Sequence, residues 1–303
     1  MVFSDARLYQ ICFLSIFLLA GIGSRDWTFR PDMILVAIAT CVLTQWICSA
    51  FTNQNREISE TECATLQQET GVIATAISRF QINSLLNTLP SALITSLGLS
   101  LLLRTGHYST MMLAGVVAIA SKFVLRLRGK HVFNPANVGI IAALTFSQDA
   151  WVSPGQWGEE SWYALLFLST GGLVLQRVGR WDTTAAFLGG YAGLEAVRNL
   201  WLGWTWDVWL HRLMSGSLLL FALFMITDPR TIPNARIGRI IWAIAIALLT
   251  FVLRNYCFLS TAVFWSLFVL APLSPLLDLL FPSSRFEWNE RPLSLQDPSS
   301  TPA

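Results

Sequence analysis

Long apolar runs, separated by short polar loops, constrain this chain more than any other feature. They lie at Leu8–Ile22, Met33–Phe51, Leu85–Leu103, Ser109–Val124, Val132–Phe146, Trp162–Leu175, Thr183–Leu202, Val208–Thr227, Ile237–Leu253 and Phe258–Phe281. A bilayer-spanning helix needs about 20 predominantly apolar residues, so the pattern predicts an all-α integral membrane protein with about ten transmembrane helices. The fifth and sixth runs are short enough to be half-spans or re-entrant segments. Composition agrees: 54% of residues are hydrophobic and 13% charged, against about 25% charged in a soluble domain. Thirteen Trp suit a membrane interface, where an amphipathic ring sits at headgroup depth. The first run resembles a signal peptide in length, but one Arg and one Asp precede it and no small-residue cleavage site follows.

Lys and Arg in short loops set orientation. Arg126, Arg128 and Lys130 follow the fourth run, Arg177 and Arg180 the sixth, and Arg230, Arg236 and Arg239 the eighth. All three loops follow even-numbered runs and therefore share one face. The loop Ser147–Ser161 has no Lys or Arg but holds Asp149, Glu159 and Glu160. Both termini are thus expected to be cytoplasmic, with Arg25 and Arg30 as a mild contradiction in the first external loop. The expected organisation is a polytopic membrane domain over 1–282, with halves of about 1–150 and 161–282. A disordered, Pro/Ser-rich cytoplasmic tail then fills 283–303. Within Thr52–Ser84, the spacing of Ile73, Ile77 and Phe80 predicts a surface helix.

Two places break the helical pattern. Phe133–Gly139 reads F-N-P-A-N-V-G; Asn is a good N-cap and Pro is tolerated at the first helical position. Such a helix start is either an ordinary cap at the membrane surface or an irregular segment buried within the protein, since lipid cannot satisfy free backbone groups. The second break is M-I-T-D-P-R-T-I-P, Met225–Pro233, which ends a helix starting at S-G-S, Ser215–Ser217. Ser91–Arg104 and Ser215–Asp228 both start Ser-small and continue apolar, a match consistent with two halves of five helices. An odd number of crossings per half forces the halves to be inverted, and inverted repeats place sites at their interface near the midplane. The two breaks should then meet. Asn134 and Asp228 are the expected polar groups there, with Lys122 or Arg126 as counter-charge.

Ionisable residues in spans are functional candidates. Glu195 and Arg198 are three apart and share a helix face, as a structural or a functional ion pair. His211 and Arg212 belong at an interface, and Asp278 is expected to face water. Gly189–Gly193, G-G-Y-A-G, reads as a close-packing surface. Five Cys show no metal-ligand spacing, so no metal site is expected. Walker, dinucleotide-binding and nucleophile–base signatures are missing from the sequence, and the basic residues lie in membrane loops rather than on a nucleic-acid surface.

At its two breaks the chain resembles the family of membrane subunits that includes NqrB of sodium-pumping NADH:quinone reductase and RnfD of the Rnf complex. The matching words are F-N-P-A-N-V-G, Phe133–Gly139, and S-G-S-L-L-L-F-A-L-F-M-I-T-D-P-R-T, Ser215–Thr231; the resemblance runs from about Ser91 to Asp278. It implies a fold similar to that of urea transporters, other subunits of a membrane redox complex as partners, and electron transfer coupled to cation movement. Members of the redox complexes carry FMN on a Thr of an outer loop. The corresponding loop here, Q-D-A-W-V-S-P-G-Q-W-G-E-E, contains no Thr and is more similar to a divergent, UnbU-like branch. Covalent FMN is therefore not expected. Non-covalent FMN or riboflavin is, with Asn134, Asn137, Ser215 and Asp228 as its candidate binding residues. The alternative is a permease or channel-like transporter of the same fold without a redox cofactor.

Overall fold

The structure, a computed structural model, describes residues 6–23, 30–61, 88–153 and 161–286. It is mostly helical, and each apolar run of the described chain carries a helix or a bent pair. The first half contains α1 (Ala6–Gly23), α2 (Pro31–Thr61), α3 (Thr88–Leu102), α4 (Tyr108–Val124) and α5 (Pro135–Phe146). The second contains α6 (Ser161–Val178), α7 (Trp181–Trp201), α8 (Trp206–Leu213), α9 (Gly216–Leu220), α10 (Arg236–Asn255), α11 (Ala262–Leu270) and α12 (Leu273–Leu280). The surface helix expected around Ile73, Ile77 and Phe80 lies outside the described residues.

Four short strands finish the loops. β1 (Leu103–Thr105) pairs antiparallel with β4 (Ala150–Val152), Leu103 opposite Val152, and β2 (Arg126–Leu127) pairs with β3 (Lys130–His131) as a hairpin. The turn between β2 and β3 puts Arg128 at φ 50° and Gly129 at φ 75°, a conformation that glycine adopts without steric cost. Arg104 folds back on α3, its Nη1 donating to the carbonyls of Ser100, Leu101 and Leu103 and so occupying acceptors that the helix end leaves free.

Among the described residues, Pro31–Thr52 and Arg236–Asn255 are long and apolar enough to cross a membrane. Two bent pairs qualify jointly: Trp206–Leu213 with Gly216–Met225, bent by 52°, and Ala262–Leu270 with Leu273–Leu280, bent by 48°. Pro272 lies in the second bend and Pro275 in the first turn of α12; a proline ring clashes with the preceding turn and lacks the N–H that would continue it. In the first pair α9 runs into a π-helical turn, Phe221–Met225.

Packing follows a regular order. α2 lies on α4 and α4 on α5; α7 lies on α10 and α10 on α11; α5 meets α11, and α1 meets α6. Gly139 explains the tight α4–α5 contact, because a Cβ there would stand 2.6 Å from the Ala114 carbonyl oxygen. Aromatic rings fill the centre: Phe221 lies against Phe187 and Phe264, and Phe17 meets Phe224 edge-on. Of the glycine cluster expected to pack closely, only Gly190 faces a neighbour, Ala247; Gly189 and Gly193 face open space.

The basic loops converge on one end. The β2–β3 hairpin, the start of α7, residues 228–239 and Arg285 meet there through Lys130–Asp278 (2.6 Å), Arg239–Asp182 (2.6 Å) and the Arg285 bond to the Arg128 carbonyl. The other end carries β1 and β4, Asp149, and the Trp-rich segment around α8. Residues 283–286, expected to be disordered, are docked at the basic end: Arg285 caps the hairpin and the Arg180 guanidinium lies 5.5 Å over the Phe286 ring. The rest of that tail lies outside the described residues.

Candidate functional site

The first break is built by its own residues. The Asn134 side chain accepts a hydrogen bond from the Asn137 backbone N–H (3.1 Å), and Pro135 opens α5. Both devices satisfy or remove donors that a helix N-terminus leaves free. The cap is buried within the protein, Asn134 being 8% exposed, rather than lying at the surface. Phe133 stacks on Phe268 of α11, ring centroids 5.1 Å apart, which anchors the break to the second half.

The second motif has no such cap at its start; Ser215 makes no capping bond and shares a bond with Ser217 instead. Within the second break Asp228 closes its own turn, and other parts of the chain satisfy further carbonyls in and beside it. Thr184 of α7 donates to the Ala222 carbonyl (2.6 Å) and Asn134 to the Met225 carbonyl (3.3 Å). Lys130 donates to the Ile232 carbonyl, and Arg239 to the Asn234 carbonyl (2.6 Å). A widened π turn leaves carbonyls off the α-helical ladder, and each buried one needs a donor.

The Asn134–Met225 bond joins the two breaks, as expected. Between them lies a cavity of about 110 Å³ walled by Ser91, Lys122, His131, Asn134, Asp228 and Arg230, with Arg7 of α1 at its edge. Lys122, 5% exposed, donates to both the carbonyl and the hydroxyl of Ser91 (3.0 and 3.1 Å). Asp228 accepts from the Arg230 backbone N–H (3.1 Å). His131 Nδ1 is buried without a hydrogen-bond partner.

Of the four expected binding residues, the structure brings Asn134 and Asp228 to the cavity. Asn137 points away and donates to the Phe264 carbonyl of α11 (3.1 Å), leaving its Oδ1 buried and unpaired. Ser215 lies at the far end of α9, more than two helical turns before Met225, and does not reach the cavity. Lys122 supplies the counter-charge, whereas Arg126 folds back on the Lys122 carbonyl and over the Phe123 ring. Sequence reasoning missed Arg7 and His131 as wall residues; nothing local marks them, because α1 and the hairpin reach the cavity only through the fold.

Two other readings change. Glu195 does not pair with Arg198; its carboxylate holds Arg212 of α8 (3.0 Å) and Asn255 of α10 (2.7 Å). Arg198 instead lies 4.8 Å over Trp204, because the two side chains diverge where α7 ends. Asp278 does not simply face water: it pairs with Lys130 and accepts from the Asn234 N–H (2.7 Å).

The cavity lining mixes apolar side chains such as Ile94, Leu102 and Phe224 with a few charged groups. Arg7, Lys122 and Arg230 face one carboxylate, a balance that disfavours a bare metal cation. Its volume does not suit a flavin: drug-sized ligands occupy about 300–1,000 Å³, and about 110 Å³ holds a few waters or a small ion. The residues present therefore do not accommodate an isoalloxazine in this conformation.

Comparison with known proteins bears on the second half. Residues 146–287 match the NQR2, RnfD, RnfE family. The chain is similar to the RnfD component of the ion-translocating oxidoreductase complex of Stutzerimonas stutzeri, 36% identical over 126 residues, 42% of this chain and 35% of that protein. The RnfD components of the same complex in Alcanivorax borkumensis and Halorhodospira halophila are 35% and 32% identical over 39% and 42% of this chain and 34% and 35% of their own lengths. The chain thus spans about a third of the length of the curated relatives it matches. The family match includes the second break, Ser215–Thr231, and excludes the first, Phe133–Gly139, so it is narrower than the resemblance from Ser91 to Asp278. Through residues 146–287, with the T-D-P-R-T turn that walls the cavity, the chain is similar to the NQR2, RnfD, RnfE family.

Proposed function

We propose that this chain is a membrane subunit of an ion-translocating oxidoreductase complex and that the cavity between its two breaks is the functional centre. One observation carries the reading: two backbone breaks, one from each half, meet across Asn134 and Met225 beside a cavity to which Lys122, His131, Asp228 and Arg230 are drawn among apolar side chains. Ionisable side chains drawn to a cavity among apolar helices are costly unless something uses them. The packing order supports two inverted halves of five, since α2–α4–α5 is echoed by α7–α10–α11 and the halves touch through α5–α11 and α1–α6. About ten crossings with both termini cytoplasmic follow from the same reading, and the basic loops at one end support it. Cys-accessibility labelling near Arg128 and Arg236 should report the inside, and labelling near Gly155 the outside.

Non-covalent FMN or riboflavin in this centre requires the cavity to widen to at least about 300 Å³. When bound, a flavin would supply the electron transfer, and the chain its burial and polar contacts. The small volume favours a second reading, a permease-like site for a small solute or ion in the same fold. An absorbance spectrum of the purified protein separates them: a blue flavin band, released on denaturation, supports the redox reading, and its absence from protein that still sustains solute or ion flux in vesicles supports the second.

A further inference from the structure

A second concave feature lies at the basic end, away from the central cavity. It is a groove of about 590 Å³ between the β2–β3 hairpin and α12. Its apolar wall is Leu127, Leu276 and Leu279, which are 52%, 51% and 53% exposed. Its rim carries Arg128 and Arg285. The Arg285 guanidinium donates to the Arg128 carbonyl (3.3 Å) and closes over Gly129, so two arginines share one small turn. Among the described residues neither has a carboxylate partner; Asp278, the carboxylate in the groove, is held by Lys130 and the Asn234 N–H.

We propose that this groove binds an anionic phospholipid, its phosphate on Arg128 and Arg285 and an acyl chain along Leu276 and Leu279. Each part of the groove matches one part of that molecule. Two guanidinium-bearing side chains line the one groove with no carboxylate partner among the described residues, and a phosphate accepts from both. Leucines half exposed beside them bury their surface against a chain instead of water. The volume falls in the range that holds a sizeable ligand. The end of the molecule is also right, because basic pockets beside transmembrane helices on the face rich in Lys and Arg are where anionic headgroups are found. The site is independent of the central cavity and of the redox reading.

Native mass spectrometry of the full chain, purified in detergent and titrated with phosphatidylglycerol or phosphatidylcholine of the same chains, tests this. Phosphatidylglycerol should be retained preferentially, and Arg128→Gln and Arg285→Gln should each reduce its retention about fivefold. Leu279→Trp, which fills the groove and keeps both arginines, should reduce it as well and serves if the arginine variants fail to fold. Equal retention of the two lipids, or unchanged phosphatidylglycerol retention in all three variants, overturns the proposal. Stabilisation by inorganic phosphate that matches the lipid's reduces the groove to an anion site and also overturns it. So does photo-crosslinking from position 279 in native membranes that captures another protein rather than lipid.

Discussion

The two breaks solve one problem by opposite means. The first, Phe133–Gly139, is self-sufficient: Asn134 caps α5, Pro135 needs no partner, and Gly139 lets α5 lie against α4. The second, Met225–Pro233, is closed locally only by its Asp228 turn, and the carbonyls in and beside it, at Ala222, Met225, Ile232 and Asn234, are held by Thr184, Asn134, Lys130 and Arg239, from as far as 102 positions away. A locally satisfied break forms with its helix, whereas a remotely satisfied one exists only once the whole fold has closed. That difference predicts where each is fragile.

The largest effect should come from Arg239→Ala. Its guanidinium meets Asp182 at 2.6 and 3.0 Å and holds the Asn234 carbonyl, and both members of the ion pair are nearly buried. Removing one member of a buried pair costs about 3–5 kcal/mol, so the melting temperature in detergent should fall sharply. A fall no larger than that of Arg236→Ala, whose exposed guanidinium stands 3.9 Å from the same carboxylate, would contradict remote anchoring of the second break.

Gly139→Ala should follow, at about 1–3 kcal/mol. The new Cβ meets backbone, the Ala114 carbonyl oxygen, which cannot move aside. The counterpart Gly171→Ala meets only the Leu223 side chain, at 2.8 Å, and should cost less because a leucine can change rotamer. If Gly171→Ala were the more harmful, the rigid-versus-adaptable contrast between the breaks would be wrong.

Asn134→Ala removes a cap worth about 0.5–2 kcal/mol and also leaves the Met225 carbonyl without that donor. It should lower stability modestly and activity more strongly. Asp228→Ala should lower activity with still less effect on folding, because among the described residues the Asp228 carboxylate bonds within its own turn. Equal losses of folding and activity in both variants would deny the cavity a functional role. In the same preparations, a denaturing gel after co-expression with a flavin transferase should show no fluorescent band, given the Thr-free loop Ser147–Ser161. A band abolished by mutating any Thr would refute that.

The smallest effect lies far from either break. Thr110, foremost, and the His107 N–H donate to Asp149 and hold its carboxyl below the usual carboxylate range. A depressed folded-state pKa gives stability that is full above about pH 4 and is lost as the pH falls through the folded value. Asp149→Asn should therefore flatten the acid limb of a melting-temperature profile by about 2 °C at most, since the site is near solvent. A shift confined to neutral pH would exclude this linkage.

Much of the first break was legible because its signals are local. Asn before Pro, then a small residue and glycine, states a cap, a helix start and a close approach within seven residues. Apolar run length likewise placed the helices, because the required length follows from bilayer thickness, and Lys/Arg loops marked the end where Asp182, Arg239, Lys130 and Asp278 meet. What the residues alone could not state were partners. Glu195 and Arg198 share a helix face by spacing, yet only the closure of α8 and α10 gave Glu195 its bonds to Arg212 and Asn255. Ser215 looked like part of a site because it opens the second motif, but the rise of α9 and its π turn carries it away from the cavity. Sequence by itself determined which segments are apolar, where each breaks and which end is basic, since these depend on composition and nearest neighbours. Tertiary structure decided which carbonyl each side chain serves, how large the central cavity is, and that Arg7 and His131 face it, because those depend on distances between helices remote in the chain.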